Sequence, residues 1–120
     1  MNPADLFRKD SDALELPAGE FLFKEGDKRD VMYVLLEGEM DIRLGEYVVE
    51  TAKAGALIGE MALIDDSPRA ANAVAKTPCR LATIDKRRFH FLVQQHPQFA
   101  THVMKELADR LRNMNAAAMR

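Results

Sequence analysis

A chain of 120 residues, 48% apolar and 30% charged, has room for one core and the composition of a folded domain. A net charge of −2 and an isoelectric point near 5.9 argue against a nucleic-acid surface, which shows as a basic patch. Cys79 is the single cysteine, which excludes an intrachain disulfide and a cysteine metal cluster. No apolar run is long enough to span a bilayer, and MNPADLFRKD lacks a signal-peptide core, so a cytoplasmic protein off the membrane is expected.

The first ten residues read as a short helix, with Asn2 as cap, Pro3 at the first helical position and Asp5 in the first turn, or else as a frayed tail. From Ala13 to about Asp85 the pattern changes to short strands punctuated by glycine. All six glycines (Gly19, Gly26, Gly38, Gly45, Gly55 and Gly59) fall in this stretch. EMDIRL alternates, setting Met40, Ile42 and Leu44 inward against Glu39, Asp41 and Arg43 in solvent. VMYVLL is apolar on both faces and predicts a central strand. Many short strands with regular turn signals predict a β-roll or jelly-roll enclosing Tyr33, Val34, Met40, Ile42, Leu81 and Ile84.

After Asp85 the period becomes helical. KRRFHFLVQQHP carries Phe89, Leu92 and Val93 on one side and stops at Pro97. The remaining residues hold no glycine or proline. In them Ala100, Met104, Leu107, Leu111, Met114 and Ala118 recur at alternating spacings of four and three, a heptad seam for a twin helix or else the stripe of an amphipathic helix folded back onto the barrel. The fold class expected is therefore α+β, mainly β. One domain spans 1–120, with the barrel over about 13–85, a short helix before it and two helices over about 86–118.

Catalytic chemistry finds little purchase. His90, His96 and His102 sit six apart in helical segments and turn to different faces, and the barrel half holds no histidine to ligate a metal. No nucleophile elbow or phosphate-loop lysine signature occurs, and Cys79 lies in an apolar strand as a core residue. No enzyme, metal site or cofactor is expected.

The stretch GEMALIDDSPRAANA, Gly59 to Ala73, is the chemistry-bearing one. Gly59 and Glu60 close a strand, and Met61–Ile64 allow one helical turn whose free N–H groups would face an anion beside Gly59. Pro68 delivers Arg69 on extended backbone, where its guanidinium can offer paired donors to a phosphate. Ala70, Ala71 and Ala73 leave room for close approach. Glu60 beside such an arginine makes sense if it accepts sugar hydroxyls while pairing with the arginine's far side. Phosphate, ribose hydroxyl and shielded backbone describe a nucleotide; an ordinary surface turn with a Glu60–Arg69 salt bridge fits the same residues.

IGEMALIDDSPRAANA resembles the phosphate-binding cassette of cyclic nucleotide-binding domains, with Ile58 where the family pattern has phenylalanine. PAGEFLFKEGD and YVLLEGEMDI resemble the family's early strands, and AKTPCRLATIDKRRF its late strand and following helix. The His-Pro and long-helix ending resembles the bacterial catabolite activator group. The resemblance implies that Glu60 accepts the ribose 2′-hydroxyl, helped by the Gly59 backbone. It implies that Arg69 binds the cyclic phosphate with the N–H groups of Ala62 and Ala70, with Met61 in the same cassette and Ala71 small beside the ligand. Threonine often follows the arginine in members that prefer cyclic GMP. Ala70 at that position leans the choice toward cyclic AMP. In the catabolite activator group the long helix pairs with its twin and reads the base. Counting from His96-Pro97 places that role at Met114 and Asn115, with Asn115 able to hydrogen-bond adenine.

The expected protein is a cyclic nucleotide receptor, a homodimer through its last helix, signalling to an unidentified protein effector. It has no helix-turn-helix head and so no nucleic-acid contact of its own. The alternatives are the sensory fragment of a helix-turn-helix regulator and a ligand-free dimerisation scaffold; the stand-alone sensor is favoured. Truncating Arg69 to alanine is expected to remove binding and spare the fold.

Overall fold

The computed structural model describes residues 2–7, 12–28, 30–60 and 68–118, with side chains as far as 113. Among them eight strands form two antiparallel sheets: β1 (Leu14–Leu16), β2 (Phe21–Phe23), β3 (Val31–Glu37), β4 (Glu39–Leu44), β5 (Tyr47–Lys53), β6 (Leu57–Ile58), β7 (Asn72–Ala75) and β8 (Cys79–Asp85). The first sheet runs β1-β8-β3-β6 and the second β2-β7-β4-β5. Two helices follow, α1 (Lys86–Gln95) and α2 (Pro97–Ala118). The architecture is the mainly β jelly-roll with C-terminal helices that the apolar patterning predicts. The expected N-terminal helix is a single 3-10 turn, Pro3–Phe7, with Asn2 Oδ1 accepting from the Ala4 N–H at 3.0 Å.

β3 lies between β8 and β6 and is apolar on both faces, because each face meets a different core. Tyr33 and Leu35 point between the sheets with Met40, Ile58, Ala73 and Leu81. Met32 and Val34 point the other way, onto Ile84, Leu92, Phe99 and Val103 beneath the helices. Val34 and Ile84, expected between the sheets, therefore serve the helix-side core. That second core is what fixes α1 and α2 to the barrel. Gly38 makes the β3–β4 turn at φ +92°, where an added Cβ would lie 2.3 Å from the Pro78 carbonyl oxygen, so no larger residue fits.

The alternation of β4 departs from expectation at two positions. Asp41 is buried rather than wet, and it accepts a hydrogen bond from Thr51 Oγ1 at 2.7 Å across the β4–β5 register. A cross-strand hydroxyl supplies what water would otherwise give. Leu44, expected inside, is exposed near the tip of the hairpin, beyond the bulge at Ile42/Arg43 where the face changes. Cys79 is buried as expected, and burial pushes its thiol up from its ordinary range.

Asp85 caps α1, its side chain accepting from the Arg88 N–H at 2.7 Å. His96 ends that helix and Pro97 opens α2, a position where its missing N–H costs nothing. The expected seam on α2 divides between two faces. Leu107 packs on the helix-side core with Phe99 and Val103, whereas Met104 and Leu111 are 61% and 59% exposed. Side chains of Met114 and Ala118 lie outside the described residues.

Candidate functional site

Arg69 enters the barrel on a backbone pinned from both sides. Its N–H donates to the Asp27 carbonyl at 2.8 Å and its carbonyl accepts from the Gly26 N–H at 2.8 Å. The turn receiving it is itself closed, with Asp27 Oδ2 accepting from the Lys24 N–H and Asn72 Oδ1 from the Glu25 N–H. The side chain then runs inward and is 4% exposed. Nη2 donates to the Val31 carbonyl at 2.6 Å and Nη1 to the Gly59 carbonyl at 3.3 Å, while the guanidinium lies 4.1 Å over the Phe23 ring. Phe23 in turn stacks on Tyr33. Burial pushes the Tyr33 phenol up, against the opposing pull of the Arg69 guanidinium.

Gly59 is where this wall admits the arginine. It has φ +72°, and a Cβ there would lie 2.2 Å from Arg69 Nη1. The glycine is required twice, by the left-handed backbone and by the guanidinium against it. Arg69 is thus an integral part of the barrel. The premise that this side chain lies outside the core is corrected: it is buried, and truncation would take a donor from the part-buried carbonyls of Val31 and Gly59.

Glu60, the next residue, is 3% exposed. Its carboxylate pairs with Arg110 Nη1 of α2, so the expected Glu60–Arg69 pair is replaced at Glu60 by a helix arginine. Arg110 Nη2 donates to the Leu57 carbonyl at 2.8 Å and meets Glu50 Oε2 at 3.3 Å. Glu106, one turn earlier, accepts from the Leu57 N–H at 3.3 Å. Leu57 belongs to β6, the edge strand of its sheet, and α2 supplies partners for both its N–H and its carbonyl on the side away from β3. Burial works against the Arg110 charge, but Glu60, Glu50 and Glu106 outweigh it and raise the arginine's pKa. Burial pushes the Glu106 carboxyl up to about 7, helped by Glu60 and Glu50 and opposed by Arg110.

Of the residues singled out from the sequence, Gly59, Glu60 and Arg69 come together. Ala70 is exposed and Ala71 partly buried just after Arg69. Met61 and Ala62, with the helical turn expected over 61–64, lie outside the described residues. Asn115 lies on α2, but its side chain is outside the described residues. Sequence reasoning missed Arg110, Glu106 and Glu50. His102, Glu106 and Arg110 recur every four residues, a polar stripe on a helix otherwise read only for its apolar positions.

Two adjoining residues in the wall of a jelly-roll thus meet buried charge, Gly59 through the Arg69 guanidinium and Glu60 through its own carboxylate. A family model described as the cyclic nucleotide-binding domain matches residues 13–96, and the chain belongs to that family. The cAMP-dependent protein kinase regulatory subunit of Emericella nidulans is 40% identical over 84 residues, 68% of this chain and 20% of that protein. The chain thus spans about a fifth of the length of such relatives. The catabolite activator protein of Thermus thermophilus matches at 25% identity and a TM-score of 0.76, over 94% of this chain and 61% of that one. A structure from work on a cyclic-GMP-dependent signalling pathway in bacterial phytopathogenesis matches at 28% identity and a TM-score of 0.77, over 94% and 95% of the two chains. Among the described residues no helix is long and apolar enough to cross a membrane.

Proposed function

We propose that the chain is a cyclic nucleotide sensor that binds cyclic AMP in preference to cyclic GMP and relays occupancy through α2. The observation that carries this reading is the Gly59–Glu60 junction. The Gly59 carbonyl meets Arg69, and the Glu60 carboxylate meets Arg110 of the helix. In the liganded protein Arg69 takes the cyclic phosphate, with the N–H groups of Ala62 and Ala70, beside Met61 and Ala71. Glu60 accepts the ribose 2′-hydroxyl. To do so Glu60 keeps Arg110 and shares its carboxylate between the arginine and the ribose hydroxyl, and α2 responds because that arginine also ties it to β5 and β6. Ligand then biases the helix by its different affinity for two arrangements. Asn115 is assigned to the base.

The cyclic AMP preference is supported by Ala70, which offers no hydroxyl to a guanine amino group, and by the kinase regulatory subunits among the relatives. The cyclic-GMP pathway structure favours the second reading, a cyclic GMP sensor. Exposed Met104 and Leu111 support a homodimer through α2, with a protein effector downstream. Calorimetric titration with each nucleotide decides between the readings. Saturable binding, tighter for cyclic AMP and strongly weakened in Arg69→Ala, supports the first; tighter cyclic GMP binding supports the second. No binding of either would overturn both. At one hundred times its dissociation constant the ligand should stabilise the fold by about 2.7 kcal/mol.

A further inference from the structure

We propose that Glu106 couples proton uptake to nucleotide binding, so that the sensor reads pH together with its ligand. The coupling rests on the nucleotide reading of the Glu60 site. Its geometry lies beneath α2, where three carboxylates converge on one guanidinium. Arg110 spends Nη1 on Glu60 and Nη2 on Glu50 and the Leu57 carbonyl, and Glu106 is left with the Leu57 N–H. Glu106 is thus the carboxylate that the arginine does not hydrogen-bond, beside two that it does.

The other faces bring a histidine, with Lys105 beside it, and one lysine. His102 Nε2 sits 3.6 Å from Glu106 Oε2, and burial depresses its pKa, so near pH 7 it is a neutral neighbour. Lys53 of β5 lines the same cavity as Glu50 and Glu106, and Asn2 and Pro3, which close its far side, are uncharged. The cavity, of about 430 Å³, reaches both Glu106 and Arg110. It gives the carboxyl a path for protons from solvent. The group's pKa near 7 places it half-protonated at neutral pH.

The sign of the coupling follows from charge. A cyclic nucleotide carries one negative charge and displaces water beside Glu60, which already repels Glu106. Added negative charge and lost solvation both favour the neutral carboxyl, so binding raises its pKa and takes up a proton. A tenfold gain in the carboxyl's proton affinity on binding makes nucleotide affinity about fivefold higher at pH 6 than at pH 8. The same gain takes up about 0.4 proton at pH 7.

The test is calorimetric titration with cyclic AMP at pH 6, 7 and 8, in paired buffers of different ionisation enthalpy. Wild type should show the fivefold trend and the proton uptake. Glu106→Gln, whose amide oxygen can still accept from Leu57, should bind with a flat profile and no uptake. His102→Gln should keep the wild-type slope. Carbon-13 detection of the Glu106 carboxyl in the wild-type protein should show a midpoint near 7 that rises on saturation. A flat wild-type profile, proton release, a slope that survives Glu106→Gln, or a carboxyl midpoint that ligand does not move would each overturn the coupling. Absence of binding at every pH would instead overturn the nucleotide reading, and the coupling with it.

Discussion

Arg69 and Glu60 sit at opposite ends of a ten-residue stretch and are both almost fully buried, yet they are held by different parts of the molecule. Arg69 is held by the barrel: its backbone by the 24–27 turn, its side chain by the carbonyls of Val31 and Gly59 and the ring of Phe23. Glu60 is held by a helix, through an arginine fifty residues further along the chain. In the proposed reading the phosphate half is preformed in that the barrel fixes Arg69, which exchanges the carbonyls of Val31 and Gly59 for the phosphate, and the sugar half is conditional on where α2 lies. A conditional half gives the protein something to report.

The largest effect should come from damaging the preformed half. Arg69→Ala removes a charge-assisted contact to a buried anion, about 2–3 kcal/mol or a 30- to 150-fold loss of affinity by calorimetry. It should also lower the melting temperature, because two part-buried carbonyls lose a donor. Gly59→Ala should mimic it with Arg69 intact, by driving the guanidinium off its place. Next comes the conditional half. Arg110→Met leaves Glu60 buried without its cation, and a loss of about 2 kcal/mol, roughly 10 °C in melting temperature, is expected. A melting temperature unchanged in Arg110→Met would show that the helix contact does not hold Glu60.

Smaller is the pH term. Glu106 has a raised pKa in the folded protein, so its contribution to stability is fully present below about 4.5 and is lost as pH rises through about 7. After solvent screening this amounts to about 1 kcal/mol. Melting scans from pH 5.5 to 8 should fall by roughly 3 °C from this group, and Glu106→Gln should flatten the fall. Smallest for the protomer is Leu111→Glu, within about 0.5 kcal/mol because the side chain is exposed. Light scattering should nevertheless show that it splits the proposed dimer. Leu107→Glu, by contrast, should unfold the helix-side core.

The barrel was readable because its signals are local: glycine-spaced turns, an apolar run at β3, and the period change at Asp85. Arg69 was readable because a proline-arginine-alanine run has a chemistry of its own. The partner of Glu60 was not, since Glu60 and Arg110 are joined only by the return of α2 over the edge of β6. Asp41 was misread for the same kind of reason: its burial depends on Thr51, which only the β4–β5 register brings opposite. The α2 seam was misread because one periodic stripe serves two surfaces, Leu107 turning to the barrel and Met104 and Leu111 to solvent.

The helix-held carboxylate is tested most directly by hydrogen exchange of the α2 amides with and without saturating cyclic AMP. A ligand that shares Glu60 with Arg110 should change exchange over residues 102–113 while leaving the β1–β8 pairing untouched. Arg110→Met should abolish that response without abolishing binding. Saturable binding with identical α2 exchange in the free and bound protein would contradict it.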